Sequence, residues 1–187
     1  MSGKVILLNG ASSSGKSSIA RALQARIEEP FWHFSIDHLR DAGVLPLDRI
    51  RRGDFQWPLL RDDFFAGFHR SLPAFAGAGN NLIVEHIVET RGWMNELVTL
   101  LSEVDVFFVG IHCPLNELER RERARGDRPL GDARRDFETI HRHAVYDLEL
   151  DSVGAPEDCA DQLAAAWRLR SQPNAFTRMA QSLVSPN

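Results

Sequence analysis

Eight consecutive residues constrain this chain more than anything else in it. Gly10, Ala11, Ser12, Ser13, Ser14, Gly15, Lys16 and Ser17 match G-x-x-x-x-G-K-[ST] at every fixed position. A short apolar run, Val5 to Leu8, comes just before them. Just after them Ile19, Ala20, Leu23 and Ile27 share one face of a predicted helix over about 16–28, which Glu28, Glu29 and Pro30 end. A buried strand, a glycine-rich turn and a helix in that order are the context in which this motif binds phosphate. The glycines let backbone amides curl around an anion without a Cβ in the way, and the helix N-terminus behind them adds its positive end. Gly10, Ala11, Ser12, Ser13, Ser14, Gly15, Lys16, Ser17 and Ser18 are therefore the expected nucleotide-binding residues. Lys16 is placed to reach the β and γ phosphates, and the Ser17 hydroxyl to take Mg²⁺. The motif identifies a nucleotide site and leaves the reaction open.

Further along, strands are predicted over 31–36, 81–85, 104–111 and 147–151. Helices are predicted over 58–75, 92–101, 114–125, 133–145 and 157–170. Residues 40–57 read as a loop with one short helix, and 171–187 as a partly ordered C-terminal tail. Strands alternating with helices at this spacing imply βαβ units. The expected fold class is α/β, a single domain over 1–170 with a five-stranded parallel sheet and helices on both faces. A length of 187 residues with 43% hydrophobic side chains suits one domain with a proper core.

Composition narrows the partners. The formal net charge of −4 speaks against a general nucleic-acid binder. Cys113 and Cys159 have no metal-ligand spacing, and read as buried thiols in a reducing compartment. No apolar stretch is long enough to span a bilayer and no secretory signal is visible, so the expectation is a cytoplasmic protein without a membrane partner. Whether it forms a homo-oligomer is left open.

In an open parallel sheet, ligands lie beyond the carboxyl ends of the strands. The second predicted strand closes at Asp37 and the third at Glu85 and His86. A carboxylate near a γ-phosphate can accept the proton of an attacking hydroxyl, which makes Asp37 a candidate base. Aspartate also caps helices, and the segment starting at His38 offers that second role. Glu85, after Leu82, Ile83 and Val84, has the layout of an acid that holds Mg²⁺ directly or through water. His86 either touches substrate or fills space at the strand end.

Seven arginines fall between Arg120 and Arg135, around Gly126, Pro129 and Gly131. Arginines carried by a mobile lid, here about 121–135, stabilise charge on a transferring phosphoryl group. Arg125 and Arg128 flank the Gly126–Asp127 turn and are the expected phosphate contacts, with Arg121 as an adenine neighbour. The alternative is a solvated helix face held by ion pairs. Nucleic-acid binding is the third reading, and the segment lacks the interleaved aromatic residues it calls for.

Taken together, these residues resemble the chloramphenicol phosphotransferases. The likeness lies in Ile6, Leu7, Leu8, Asn9 and Gly10 with Ser12 and Ser13, in Gly15, Lys16 and Ser17, and in Asp37. It continues through Val109, Gly110 and Cys113, the run Ala124 to Arg128, then His141, Tyr146, Asp147, Glu149 and Asp151. The resemblance implies a doubly wound P-loop kinase fold, ATP with Mg²⁺, and transfer of the γ-phosphoryl group to a hydroxyl of a small molecule. It implies that Asp37 is the base and that Arg128 is a lid residue near the transferring group. It also implies an acceptor pocket built from residues 44–68, where this sequence departs from the family's pattern. Phe55, Trp57, Phe64, Phe65 and Phe68 stand there, suited to a planar acceptor or equally to a core. Asp37, Glu85, His86, Trp57 and Phe55 are thus the candidate acceptor contacts. The rival readings are a P-loop kinase for another acceptor, such as a nucleoside, a sugar or another antibiotic, and an NTP-dependent switch.

Overall fold

A computed structural model describes residues 2–125 and 130–184. In chain order the elements are β1 (Lys4–Asn9), α1 (Lys16–Gln24), β2 (Phe31–Ser35), α2 (Ile36–Asp41), α3 (Leu47–Arg51), α4 (Trp57–Gly77) and β3 (Asn81–His86). They continue as α5 (Arg91–Leu100), β4 (Asp105–His112), α6 (Leu115–Arg125), α7 (Asp132–Thr139), β5 (Leu148–Asp151), α8 (Pro156–Leu169) and α9 (Ala175–Val184). The strands form one sheet in the order β2-β3-β1-β4-β5, and every pairing is parallel. The expected α/β class holds.

Strand alternation sorts the core into two layers. Ile6 and Leu8 of β1 join Ile83, Val109, Ile19 and Leu163 on the side of α1 and α8. Val5 and Leu7 join Leu82, Val84, Phe68, Leu97 and Phe176 on the side of α4, α5 and α9. Leu7, Leu72 and Leu82 are fully buried, each stabilising the fold by about 1.5–3 kcal/mol relative to exposure. The same alternation decides where the strand ends deliver their polar residues. His33 and Glu85 follow Phe31 and Ile83 onto the α1 side, whereas His86 follows Val84 toward α4 and α5.

Two segments differ from the sequence reading. The second strand, expected over 31–36 and closing at Asp37, ends at Ser35 and gives way to α2. Residues 40–57 hold the one short helix expected there, α3, and neither helix buries a residue completely. The C-terminal stretch expected to be a partly ordered tail contains α9. Ala175 and Phe176 are buried there, with Met179 and Ala180 packed against the same core cluster. Asp147 ties α9 down, its carboxylate accepting from the backbone amides of Phe108 and Ala175 at 2.9 and 2.6 Å. Pro173 and the polar residues before it hid an apolar i, i+3, i+4 stripe that begins only at Phe176.

Candidate active site

A cleft of about 690 Å³ opens at the carboxyl ends of β1, β2 and β3. The loop after β1 forms its floor. Ser13 and Gly15 adopt left-handed backbone conformations, φ 65° and 92°, and so turn successive amides toward one concavity. The Lys16 ammonium donates to the carbonyls of Gly10 and Ala11, at 2.8 Å each. Gly10 packs so closely under β4 that a Cβ would come within 2.7 Å of the Ile111 carbonyl. Of the expected nucleotide-binding residues, Ser12 to Ser18 line the cleft with Arg121. Gly10 and Ala11 shape the loop from behind, Ala11 facing a small separate cavity beside Cys113 and Ile140.

Asn9, the last residue of β1, anchors the loop's entry. It is fully buried, donates to the Ile140 carbonyl and the Tyr146 hydroxyl, and accepts from the Val88 amide. The Tyr146 ring lies flat enough against β4 that a side chain at Gly110 would strike it.

On the α1 side, the Ser17 hydroxyl donates to Glu85 Oε2 at 2.8 Å. Glu85 Oε1 takes a hydrogen bond from His33 Nε2. Burial alone would raise the Glu85 pKa, but His33, the Lys16 charge and the Ser17 hydroxyl together bring it below the ordinary 4.5. The carboxylate is therefore ionised at neutral pH. A hydroxyl and a carboxylate side by side are the hard oxygen donors that Mg²⁺ prefers, so Ser17 and Glu85 fit that ion.

Asp37 lines the same cleft. Its position answers the capping question. The Ser35 side chain accepts from the Asp37 amide and is the N-cap of α2, so Asp37 sits inside the first turn and its carboxylate does not cap that helix. It pairs with Arg40 at 3.1 Å while staying partly exposed to the cleft.

The arginines divide. Arg120, Arg121 and Arg125 line the cleft with Arg135. Arg121 is held by Glu117 and the Ser152 carbonyl, which sets its guanidinium over Gly15. Arg120 and Arg121 pair with Glu117 along α6, the kind of pairing the solvated-helix reading expected, whereas Glu119 reaches across to Arg134 of α7. Arg128 lies outside the described residues, as do Gly126, Asp127 and Pro129.

His86 lines the cleft but is buried, its Nε2 2.7 Å from His69 Nε2, while His69 Nδ1 meets Glu96. Burial, then the nearby His69, pushes its pKa well below 6.5. Phe55 and Trp57 are not brought to the cleft. Phe55 lies under the Arg49 guanidinium and Trp57 meets Phe64 edge-on, so these rings pack with their neighbours along α3 and α4.

The sequence of this site has relatives. The family model of the chloramphenicol phosphotransferase-like proteins matches residues 3–168. The chain belongs to that family. Two Mycobacterium tuberculosis relatives, from strains H37Rv and CDC 1551, are each 32% identical over 98% of this chain and 90% of their own length. Their names describe proposed O-phosphotransferases. Among solved structures, the Mycobacterium tuberculosis APS kinase in complex with AMPPNP and APS superimposes with a TM-score of 0.65 at 20% identity, covering 89% of this chain and 98% of that one. Shikimate kinase from Aquifex aeolicus gives a TM-score of 0.55 at 18% identity, covering 88% and 96%. At such identities these two structures show a shared fold. This chloramphenicol phosphotransferase-like chain thus has the P-loop kinase architecture, and among its described residues no helix is long and apolar enough to cross a membrane.

Two carboxylates of this family member support the cleft without any sequence motif announcing them. Asp136 on α7 is fully buried, accepts from the Ser12 amide at 2.9 Å and pairs with Arg135. Glu122 on α6 accepts from the amides of Gly131 and Ala133, so it caps α7 from the neighbouring helix. Burial pulls the Glu122 pKa up, yet those amide hydrogen bonds bring it below 4.5. Both contacts join positions 9 to 124 residues apart.

Proposed function

We propose that this protein transfers the γ-phosphoryl group of ATP to a hydroxyl of a small molecule. The observation that carries the reading is that Asp37 and the Ser17–Glu85 pair line one cleft floored by the phosphate-binding loop. A base and a phosphate cradle in one cavity are what in-line transfer requires.

In this reading the amides from Ser13 to Ser18 hold the phosphates, and Lys16 leaves its backbone carbonyls to offset charge on the β and γ oxygens. Ser17 and Glu85 would hold Mg²⁺, which would supply positive charge against that of the phosphates. Asp37 accepts the proton of the acceptor hydroxyl as that oxygen attacks phosphorus, and ADP leaves on the opposite side. Arg125 and, by the family resemblance, Arg128 would offset charge on the transferring group, and Arg121 borders the base of the nucleotide. Ionised Glu85 stays on the metal side and Asp37 on the acceptor side, so the two carboxylates do not exchange roles.

For the acceptor we favour a hydroxyl compound of the chloramphenicol kind, with nucleosides and sugars as the next candidates. The test is ATP consumption across such a panel, with mass spectrometry of the product. Asp37→Ala is expected to lower kcat by about 10²–10⁴-fold while nucleotide affinity stays unchanged. Transfer at the normal rate in that variant would overturn the role of Asp37. ATP hydrolysis with no phosphorylated product on any acceptor would overturn the transfer itself.

A further inference from the structure

Glu85 has two oxygens, and the proposed transfer accounts for only one of them. Oε2 faces the Ser17 hydroxyl, and Oε1 faces away, toward two imidazoles. His33 on β2 meets Oε1 directly, and the His38 ring from α2 stands edge-on to His33 with centroids 4.5 Å apart. One ligand atom from each of His33, His38 and Glu85 can be chosen so that all three lie within 4.8 Å of one another. We propose that these three residues form a binding site for a divalent cation of the nitrogen-preferring class, with Zn²⁺ as its best occupant and Co²⁺ as its probe.

Several features point the same way. Two imidazoles and a carboxylate are a donor set that suits Zn²⁺ and Co²⁺, whereas Mg²⁺ wants oxygen alone. Bonds of about 2.0–2.2 Å from one tetrahedral ion place ligand atoms roughly 3.5 Å apart, so the observed spread needs a contraction of about one ångström. His38 can supply it. It is exposed, sits on a helix that buries no residue fully, and reorients at little cost. His33 and Glu85 are nearly buried and neighbours already, and their hydrogen bond would open, with loss of its proton, to admit the ion between them. Ser17 holds the other Glu85 oxygen, the kind of supporting bond that orients a metal-binding carboxylate. Lys16 is the cation facing this cluster, and its ammonium is drawn back onto the carbonyls of Gly10 and Ala11. Three protein ligands leave a fourth position open toward the cleft, as in zinc sites that bind water or an anionic group.

The alternative is a plain His33–Glu85 ion pair that steadies the metal-side carboxylate. That would give His38 no part in cation binding, and the difference is measurable. The full-length protein is stripped with a chelator, freed of it by gel filtration and titrated with Co²⁺ in the absence of nucleotide. Visible absorption reports nitrogen coordination, and Zn²⁺ affinity follows by competition with a chromophoric chelator. The expected result is one equivalent bound, retained in a large excess of Mg²⁺. Affinity should fall in both His33→Gln and His38→Ala by more than the roughly 10–100-fold that losing an outer-shell partner costs. His112→Ala, at the separate exposed His112–Glu149 pair, should leave binding unchanged. Exposure of His38 keeps its variant folded, which thermal melting confirms, so that variant decides the matter if His33→Gln is unstable. An unperturbed hexaaqua Co²⁺ spectrum would overturn the proposal, as would unchanged affinity in His38→Ala or stoichiometric displacement by Mg²⁺. No turnover is measured, so failure here leaves the phosphotransfer reading standing, and the reverse holds.

Discussion

The two halves of the cleft are built on different principles. On the nucleotide half, the loop from Gly10 to Ser18 is gripped from several directions: Asn9 anchors its entry, Asp136 holds the Ser12 amide and Arg121 overlies Gly15. On the side proposed for the acceptor, α2 lends Asp37, His38 and Asp41 to the cleft and buries no side chain fully. The segment beyond it does not line the cleft and is looser still, with Val44 and Leu59 60% and 74% exposed. Only the inner face of α4, with Phe65, Phe68, His69 and Leu72, is sunk into the core. A phosphate nest works through the directions of backbone amides, so the backbone must be fixed by buried, satisfied polar contacts. An acceptor is recognised by side chains, which can change while the sheet beneath stays the same. Under the proposed transfer, chemistry would be written into the packed half and substrate identity into the lightly packed one.

The largest effect that separates the halves is catalytic. Lys16→Ala removes the charge placed for the β and γ oxygens, and is expected to lower kcat by about 10²–10³-fold. The acceptor KM should move little, because Lys16 lies on the nucleotide side. Steady-state kinetics with both substrates varied reads the two effects apart, and an equal loss in acceptor binding would dissolve the distinction between halves.

Next in size is the support beneath the loop. Asp136→Ala leaves the Ser12 amide without its acceptor and Arg135 with Asp132 as its remaining close carboxylate, at a cost of about 1–3 kcal/mol in unfolding free energy. Asp136→Asn keeps an acceptor for the amide and should cost less. Urea unfolding measures both. A neutral Asp136→Ala would mean that α7 does not hold the loop.

This contact also shows what the sequence could and could not tell. The strand–loop–helix unit from Val5 to Ile27 was legible because its signals are local: an apolar run, two glycines, Lys16 and Ser17, and a helical stripe. Glu85 was legible because an apolar strand ends in a carboxylate. Asp136 and Glu122 were not, since each looks like one more charge in a charged segment, and only tertiary packing brings them to amides of other elements. His33 was missed for a related reason, because strand alternation is needed to see that it shares a face with Glu85. Phe55 and Trp57 misled in the opposite sense. Aromatic rings near an expected pocket carry no directional information, and α4 uses Trp57 to pack on Phe64.

A graded effect comes from acid. Burial lowers the pKa of His69 despite the Glu96 carboxylate beside it, and burial with His69 lowers that of His86 much further. Burial and His112 bring His141, behind the loop, down to about 4. Each is depressed from the ordinary 6.5, so the unfolded chain binds more protons than the native one below that value. Their contribution is complete above pH 6.5 and is lost as pH falls from there toward the native values. The depressed carboxylates Glu85 and Glu122 add their losses only below about 4.5. The urea midpoint should therefore decline between about pH 7 and 5, before any of these acids protonates. His69→Gln should flatten that decline, because a central residue of the acceptor half no longer titrates. A midpoint constant over this interval would show that the buried histidines carry no such linkage.

The smallest effect is the sharpest test of how loosely the acceptor half is packed. Leu59 lies 74% exposed on the first turn of α4, so Leu59→Lys removes little apolar surface from any contact. Lysine is about as good a helix former as leucine, which leaves backbone propensity nearly unchanged. The expected change in unfolding free energy is within about 0.5 kcal/mol, with turnover unaltered on whichever acceptor is used. A larger loss that grows at low protein concentration would mean that Leu59 is covered by a second copy of the chain, since only a concentration-dependent partner makes stability depend on protomer concentration. A larger loss independent of concentration would instead mean that α4 packs more tightly in solution than its exposed face indicates. The contrast between a braced nucleotide half and an open acceptor half would then have to be redrawn around that helix.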